Sequence, residues 1–258
     1  MDGHIAQATE RLRASPLTTL GILVRDLVYP PSCVHCGIRV AEHGALCPQC
    51  WTSIRFIERP FCEVLGTPFP FDHGAGTLSP EAIADPPVFD RLRSVASHDG
   101  PVRDLVHGLK YRDRTDLAPI IARWMVRAGA EELATSDAVL AVPLHRTRLF
   151  ARKFNQSAEL ARHIARSAGK PFLASAVLRV KRTARQVGLS ANARADNVRG
   201  AFAVAPGCET EVFGRRLVLV DDVFTTGATV SAVARVLKRA GAADVTVLTF
   251  ARALSDPI

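Results

Sequence analysis

The segment Val218-Leu219-Val220-Asp221-Asp222-Val223-Phe224-Thr225-Thr226-Gly227-Ala228-Thr229 sets two adjacent carboxylates just before a Thr/Gly turn. Leu217 to Val220 reads as a buried strand ending at the acids, and a helix is expected from about Gly227 to Ala240. Backbone N–H groups at a helix start lack intrahelical partners. With the hydroxyls of Thr225, Thr226 and Thr229, they make a cradle for phosphate across Thr225, Thr226, Gly227, Ala228 and Thr229. Gly227 lets the backbone approach the ligand closely. Ionised Asp221 and Asp222 accept hydrogen bonds, which suits the hydroxyls of a sugar diol. A phosphate and a diol close together describe a ribose 5-phosphate.

A second constellation lies near the N-terminus. Cys33, Cys36, Cys47 and Cys50 form two CxxC pairs separated by ten residues. Two such turns offer four thiolates to one tetrahedral zinc, and four protein ligands leave no open position, so the metal is expected to be structural. His35 and His43 read as turn and loop residues. The unit is then echoed. Cys33-Val34-His35-Cys36-Gly37 returns 29 residues later as Cys62-Glu63-Val64-Leu65-Gly66. Gly44-Ala45-Leu46-Cys47-Pro48-Gln49-Cys50 returns 32 residues later as Gly76-Thr77-Leu78-Ser79-Pro80-Glu81-Ala82. The second copy keeps its turn residues and one of four cysteines, which reads as a degenerate zinc knuckle.

Charge is concentrated rather than spread. The 258 residues carry a net +8, yet Arg146 to Gly200 holds 13 Lys or Arg against Glu159 and Asp196. That stretch has a balance of +11 and leaves −3 for the remainder. Clustered cations focus a field suited to an anionic partner.

Around these residues the pattern is that of a parallel sheet. Ala138 to Pro143, Leu217 to Val220 and Asp244 to Phe250 read as strands, with helices from about Asn155 to Ala168 and after the acids. Leu17, Leu20, Leu23 (or Val24) and Leu27 recur at helical spacing and make residues 1–29 a leading helical segment. The expected organisation is therefore 1–29 helical, 30–86 a double zinc-knuckle module with a degenerate second unit, and 87–258 an α/β domain. With 48% hydrophobic and 22% charged residues, the chain is neither disordered nor fibrous. The apolar run from Leu20 to Tyr29 is broken by Arg25-Asp26 and is too short to span a bilayer. No secretory signal precedes it, so the expectation is a soluble, cytoplasmic protein with reduced thiols.

The acid and threonine segment resembles the phosphoribosyl-pyrophosphate (PRPP) motif of type I phosphoribosyltransferases. Leu109-Lys110-Tyr111, Val142-Pro143-Leu144-His145, Arg152-Lys153-Phe154-Asn155-Gln156, Gln186-Val187-Gly188-Leu189-Ser190, Arg194 and Asn197-Val198-Arg199-Gly200-Ala201-Phe202 extend the resemblance to the ComF family, associated with competence for DNA uptake. It covers nearly the whole chain. Two departures are Lys153, where many members have Gly, and the degenerate second knuckle.

The resemblance implies a phosphoribosyltransferase-like parallel sheet behind a small four-cysteine zinc module. Asp221 and Asp222 would bind the ribose hydroxyls, and Thr225 to Thr229 the 5-phosphate. The loop Leu144, His145, Arg146 to Arg148 would meet pyrophosphate, with Arg148 and Arg152 gripping its oxygens in two-point fashion. Magnesium would arrive with PRPP and water. Residues 182–199 hold the place of a mobile lid. Lys110 and His145 read as structural, and no residue announces itself as a general base. The implied activity is pentosyl transfer from PRPP to a nitrogenous acceptor, linked to DNA uptake. The alternative is a non-catalytic protein associated with single-stranded DNA and other uptake proteins, using the PRPP site for regulation.

Overall fold

The computed structural model describes residues 26–145, 154–181 and 191–254. Among the expected features, most of the leading helical segment, the basic residues Arg146, Arg148, Arg152 and Lys153, and residues 182–190 of the lid lie outside these. Residues 26–28 are helical. The chain divides into two units, one reaching Trp51 and one beginning at Thr52.

In the larger unit, four strands form one parallel sheet: β1 (Arg91–Ser97), β2 (Ala138–Ala141), β5 (Arg216–Phe224) and β6 (Asp244–Arg252), in the order β1-β6-β5-β2. A separate antiparallel pair, β3 (Val177–Arg179) and β4 (Phe202–Val204), lies between β2 and β5 in sequence. Leu217, Leu219, Val245 and Val247 are buried with Val230, Val233 and Leu237 of the helix Ala228–Arg239, which covers one face of the sheet. The helices Ala118–Ala128 and Gln156–Ala168 pack against each other and against the sheet. Burial of this kind contributes about 25 cal/mol for each Å² of apolar surface removed from water.

One expectation is corrected. The strand does not end at the acids: β5 runs through Asp221 and Asp222 to Phe224. The reason is its neighbour, since β6 is also longer than its apolar run and pairs Asp221 with Thr249, Val223 with Ala251 and Phe224 with Arg252. Gly227 then turns the chain at φ +72°, where a Cβ would lie 2.8 Å from the Phe224 ring. Its smallness therefore serves the packing of Phe224.

The sequence echo has a counterpart in the backbone hydrogen bonds. In the first copy, Cys33 N–H donates to Ile38 O (2.7 Å), Gly37 to Cys33 O (3.0 Å), Val34 to Ala45 O (3.1 Å) and Val40 to Pro31 O (3.0 Å). In the second, Cys62 donates to Thr67 O (2.8 Å), Gly66 to Cys62 O (2.7 Å), Glu63 to Thr77 O (3.2 Å) and Phe69 to Pro60 O (2.9 Å). Every partner is displaced by the same 29 or 32 residues as the sequence echo. The second copy has joined the larger unit. Leu92 N–H of β1 donates to Val64 O, and Gly66 approaches so closely that a Cβ would meet Leu92 O at 2.5 Å.

Candidate functional site

The parallel sheet brings its strand ends together, and the acid pair of β5 sits there between two supports. On one side, Ser157 Oγ donates to Asp221 Oδ1 at 2.8 Å. Ser157 is itself fixed by Asn155, the N-cap of the helix Gln156–Ala168, whose Oδ1 accepts from Ser157 N–H at 3.1 Å. The Asn155 amide donates to Val142 O at 3.0 Å, just beyond β2. Thus the Phe154-Asn155-Gln156 stretch of the sequence resemblance acts as a brace between β2, that helix and the acids. On the other side, Lys110 Nζ lies 3.0 Å from Asp222 Oδ1. Lys110 comes from the last turn of the helix Gly100–Tyr111, which follows β1.

Asp221, Asp222 and Lys110 line a cavity of about 280 Å³ together with His98, Thr225, Gly227, Ala228 and Thr229. The geometry therefore unites both acids with the turn that opens the helix Ala228–Arg239. Thr226 is exposed beside it. Of the expected pyrophosphate loop, Leu144 and His145 are described and half-buried. Two cavity residues were not assigned a chemical role from sequence. Lys110, read as structural, contributes its ammonium to the cavity wall. His98, at the end of β1, had not been singled out. A histidine closing an apolar strand before Asp99-Gly100 was the available signal for it.

The electrostatics follow from burial and proximity. Burial, and then the neighbouring Asp222 charge, push Asp221 up to about 7, against the pull of Ser157 and Lys110. Burial alone would depress the Lys110 ammonium, but Asp222 and Asp221 hold it above its ordinary value. His98 is lowered by burial and by Lys110. The site can thus present a carboxylate acceptor, an ammonium donor and a neutral imidazole to one ligand.

In the N-terminal unit, the sulfurs of Cys33, Cys36, Cys47 and Cys50 all lie within 4.8 Å of one another. Zinc–sulfur bonds of about 2.3 Å at tetrahedral angles require sulfurs about 3.8 Å apart, and Cys36 Sγ and Cys47 Sγ are 3.7 Å apart. Backbone N–H groups already favour thiolates: Cys47 donates to Cys33 Sγ at 3.3 Å and Cys50 to Cys47 Sγ at 3.4 Å. Burial opposes the charge on Cys33, yet such N–H donors bring its thiol down to about 6. Burial and the adjacent thiols push Cys50 up. One charge is welcome and the next is not, so a dication fits this donor set. His35 Nδ1 lies 3.1 Å from Cys50 Sγ, and His43 Nε2 meets Asp26 at 2.9 Å. The degenerate copy keeps the N–H···S pattern, with Leu65 and Ser79 donating to Cys62 Sγ at 3.3 and 3.2 Å, but offers no second sulfur.

Two measurements follow. Elemental analysis of protein purified under reducing conditions is expected to give one zinc per chain, unchanged in Cys62→Ser and lost in Cys33→Ser; a value of two would contradict the degenerate knuckle. The second concerns pH. Asp221 binds its proton more tightly when folded than the value near 4 expected of an unfolded chain. Its contribution is therefore fully present below about pH 4 and is lost as pH rises through about 7. Asp221→Asn, which still accepts from Ser157, should be the more stable form at pH 8 by roughly 2–4 kcal/mol. Urea denaturation at pH 5 and pH 8 checks whether that gap opens with pH.

The chain matches the model of the Double zinc ribbon domain over residues 24–82 and that of the Phosphoribosyl transferase domain over residues 155–257. It is 33% identical over 234 residues to the "DNA utilization protein YhgH" of Escherichia coli (strain K12), covering 88% of this chain and 100% of that protein. It is 34% identical over 238 residues to the protein of the same name from Salmonella typhi, covering 88% of this chain and 100% of that protein. With "Competence protein F" of Haemophilus influenzae the identity is 30% over 230 residues, covering 86% of this chain and 96% of that protein. The paired acids before the helix turn and the duplicated knuckle agree with these matches, and the chain belongs to the ComF family of phosphoribosyltransferase-fold proteins with an N-terminal zinc ribbon.

Proposed function

We propose that this protein binds PRPP in the cavity at the end of β5 and transfers its phosphoribosyl group to a nitrogenous acceptor, in a cytoplasmic role linked to DNA uptake or utilisation. The observation that carries this reading is the pair Asp221 and Asp222, held at the cavity wall beside the start of the helix Ala228–Arg239. Asp221 and Asp222 accept the ribose hydroxyls. Backbone N–H groups and hydroxyls from Thr225 to Thr229 take the 5-phosphate. Leu144, His145, Arg146, Arg148 and Arg152 meet the pyrophosphate, whose magnesium travels with it and keeps water ligands. As the C1–oxygen bond breaks, the sugar gains oxocarbenium character and the pyrophosphate gains charge, which guanidinium groups of the basic segment stabilise. The role that the family resemblance implies for residues 182–199 is that of a lid, whose function would be to exclude water from the reactive sugar.

Calorimetry with PRPP and magnesium tests this directly. Asp221→Asn with Asp222→Asn should weaken binding by about 1–3 kcal/mol for each lost acceptor, with the fold retained by circular dichroism. Unaltered affinity in the double variant would remove the assignment.

A second reading rests on the names of the relatives and on the cation-rich stretch from Arg146 to Gly200. Here single-stranded DNA is the partner. Arg162 and Arg166 are exposed one helical turn apart, and Arg162 is paired with Glu159. If the charge serves DNA, binding to an oligonucleotide should fall steeply with salt, because each neutralised phosphate releases counterions. Arg162→Ala with Arg166→Ala should then weaken DNA and leave PRPP affinity unchanged. Displacement of the oligonucleotide by PRPP, with normal DNA binding by that variant, assigns the charge to the sugar-phosphate site instead.

A further inference from the structure

The sheet order β1-β6-β5-β2 gives the acid pair two distinct flanks. Toward β2 lie Ser157, Asn155 and the chain leaving the strand at Val142, followed by Leu144 and His145. Toward β1, across β6, lie Lys110 and His98, and the His98 N–H is tied to Arg252 O at 2.7 Å. Nucleophilic displacement at a sugar C1 with inversion brings the nucleophile to the ring face opposite the leaving group. If pyrophosphate leaves on the β2 flank, the acceptor enters on the β1 flank.

That flank has suitable chemistry. The His98 ring makes no hydrogen bond among the described residues, and it is half-buried in the cavity wall. The charged groups facing it are Lys110, Asp222, Arg103 and Asp99, and burial with Lys110 lowers it, so it is neutral at pH 7. Lys110 donates to Asp222 through one of its three ammonium hydrogens, which leaves two donors for another oxygen.

We propose that His98 and Lys110 form the acceptor subsite, that the acceptor is a nitrogen heterocycle carrying a carbonyl or carboxylate oxygen, and that His98 is the general base. This rests on the phosphoribosyl-transfer reading above. The oxygen takes hydrogen bonds from Lys110. The attacking nitrogen bonds to C1 as the C1–oxygen bond breaks, pyrophosphate leaves with the electron pair, and the proton of the attacking nitrogen passes to the open ring nitrogen of His98.

The test incubates the full chain with PRPP, magnesium and, in turn, hypoxanthine, uracil or orotate, each of which has a ring N–H to lose, following pyrophosphate release, with calorimetry of PRPP alone in parallel. At least one heterocycle is expected to release pyrophosphate. His98→Gln should lower kcat about 100-fold and abolish the acidic limb of the pH profile while PRPP affinity stays unchanged. Lys110→Met should raise KM for the heterocycle, with partial rescue by Lys110→Arg. A wild-type protein that binds PRPP and reacts with none of the three overturns the acceptor class. A His98→Gln variant with wild-type turnover and pH profile overturns the role of His98. Failure of the wild type to bind PRPP at all would instead bring down the reading on which this one stands.

Discussion

Two carboxylates on consecutive residues within a largely buried strand repel each other, and much of the site is arranged around that constraint. Water would solvate both charges, but the sheet removes most of it, so the protein supplies substitutes. Asp221 is given a hydroxyl donor from Ser157 and Asp222 an ammonium from Lys110, from opposite flanks. The support is incomplete by design of the sheet, since Asp221 still titrates near 7. A ligand with hydroxyl donors and compensating charge would supply the missing stabilisation.

The second knuckle answers a similar question about charge without a metal. Cys62 is fully buried and accepts N–H bonds from Leu65 and Ser79, as Cys33 accepts one from Cys47, and these lower its thiol despite the burial. Around it the protein's own cations have moved in. Arg252 donates to Leu65 O and Thr67 Oγ1, while Arg93 donates to Glu63 O and pairs with Glu63 and Glu132. Arg93 and Arg252 also stack over Phe61 and Phe224. This loop is held by guanidinium bonds to its carbonyls and by docking on β1. Removing one partner from such a buried network leaves a charge uncompensated, which typically costs about 3–5 kcal/mol.

This exchange also explains why the knuckle pair behaves as two different objects. The first copy has its own small core of Cys33, Cys47 and Cys50 with Val40 and Leu46. The second contributes Leu65 to the apolar cluster beneath the sheet. Turns without a metal must find their hydrogen-bond and packing partners elsewhere, and the second copy finds them on the sheet.

The local features were legible in the residues: the CxxC spacing, the echo of turn residues at constant offset, the apolar runs that became β2, β5 and β6, and the acid pair before a Thr/Gly turn. Each is encoded within a few residues, where backbone preference and side-chain type act directly. The ends of β5 and β6 were not legible, because their last pairs, such as Val223 with Ala251, depend on a partner strand rather than on an apolar run. Nor was the company of the acids. Ser157, Lys110 and His98 are all more than 60 residues away in sequence, and no periodicity relates them to Asp221 or Asp222. A parallel sheet gathers residues from successive strand ends onto one edge whatever their separation along the chain. The chain therefore spelled out which chemical groups were present, while the tertiary structure decided which of them meet.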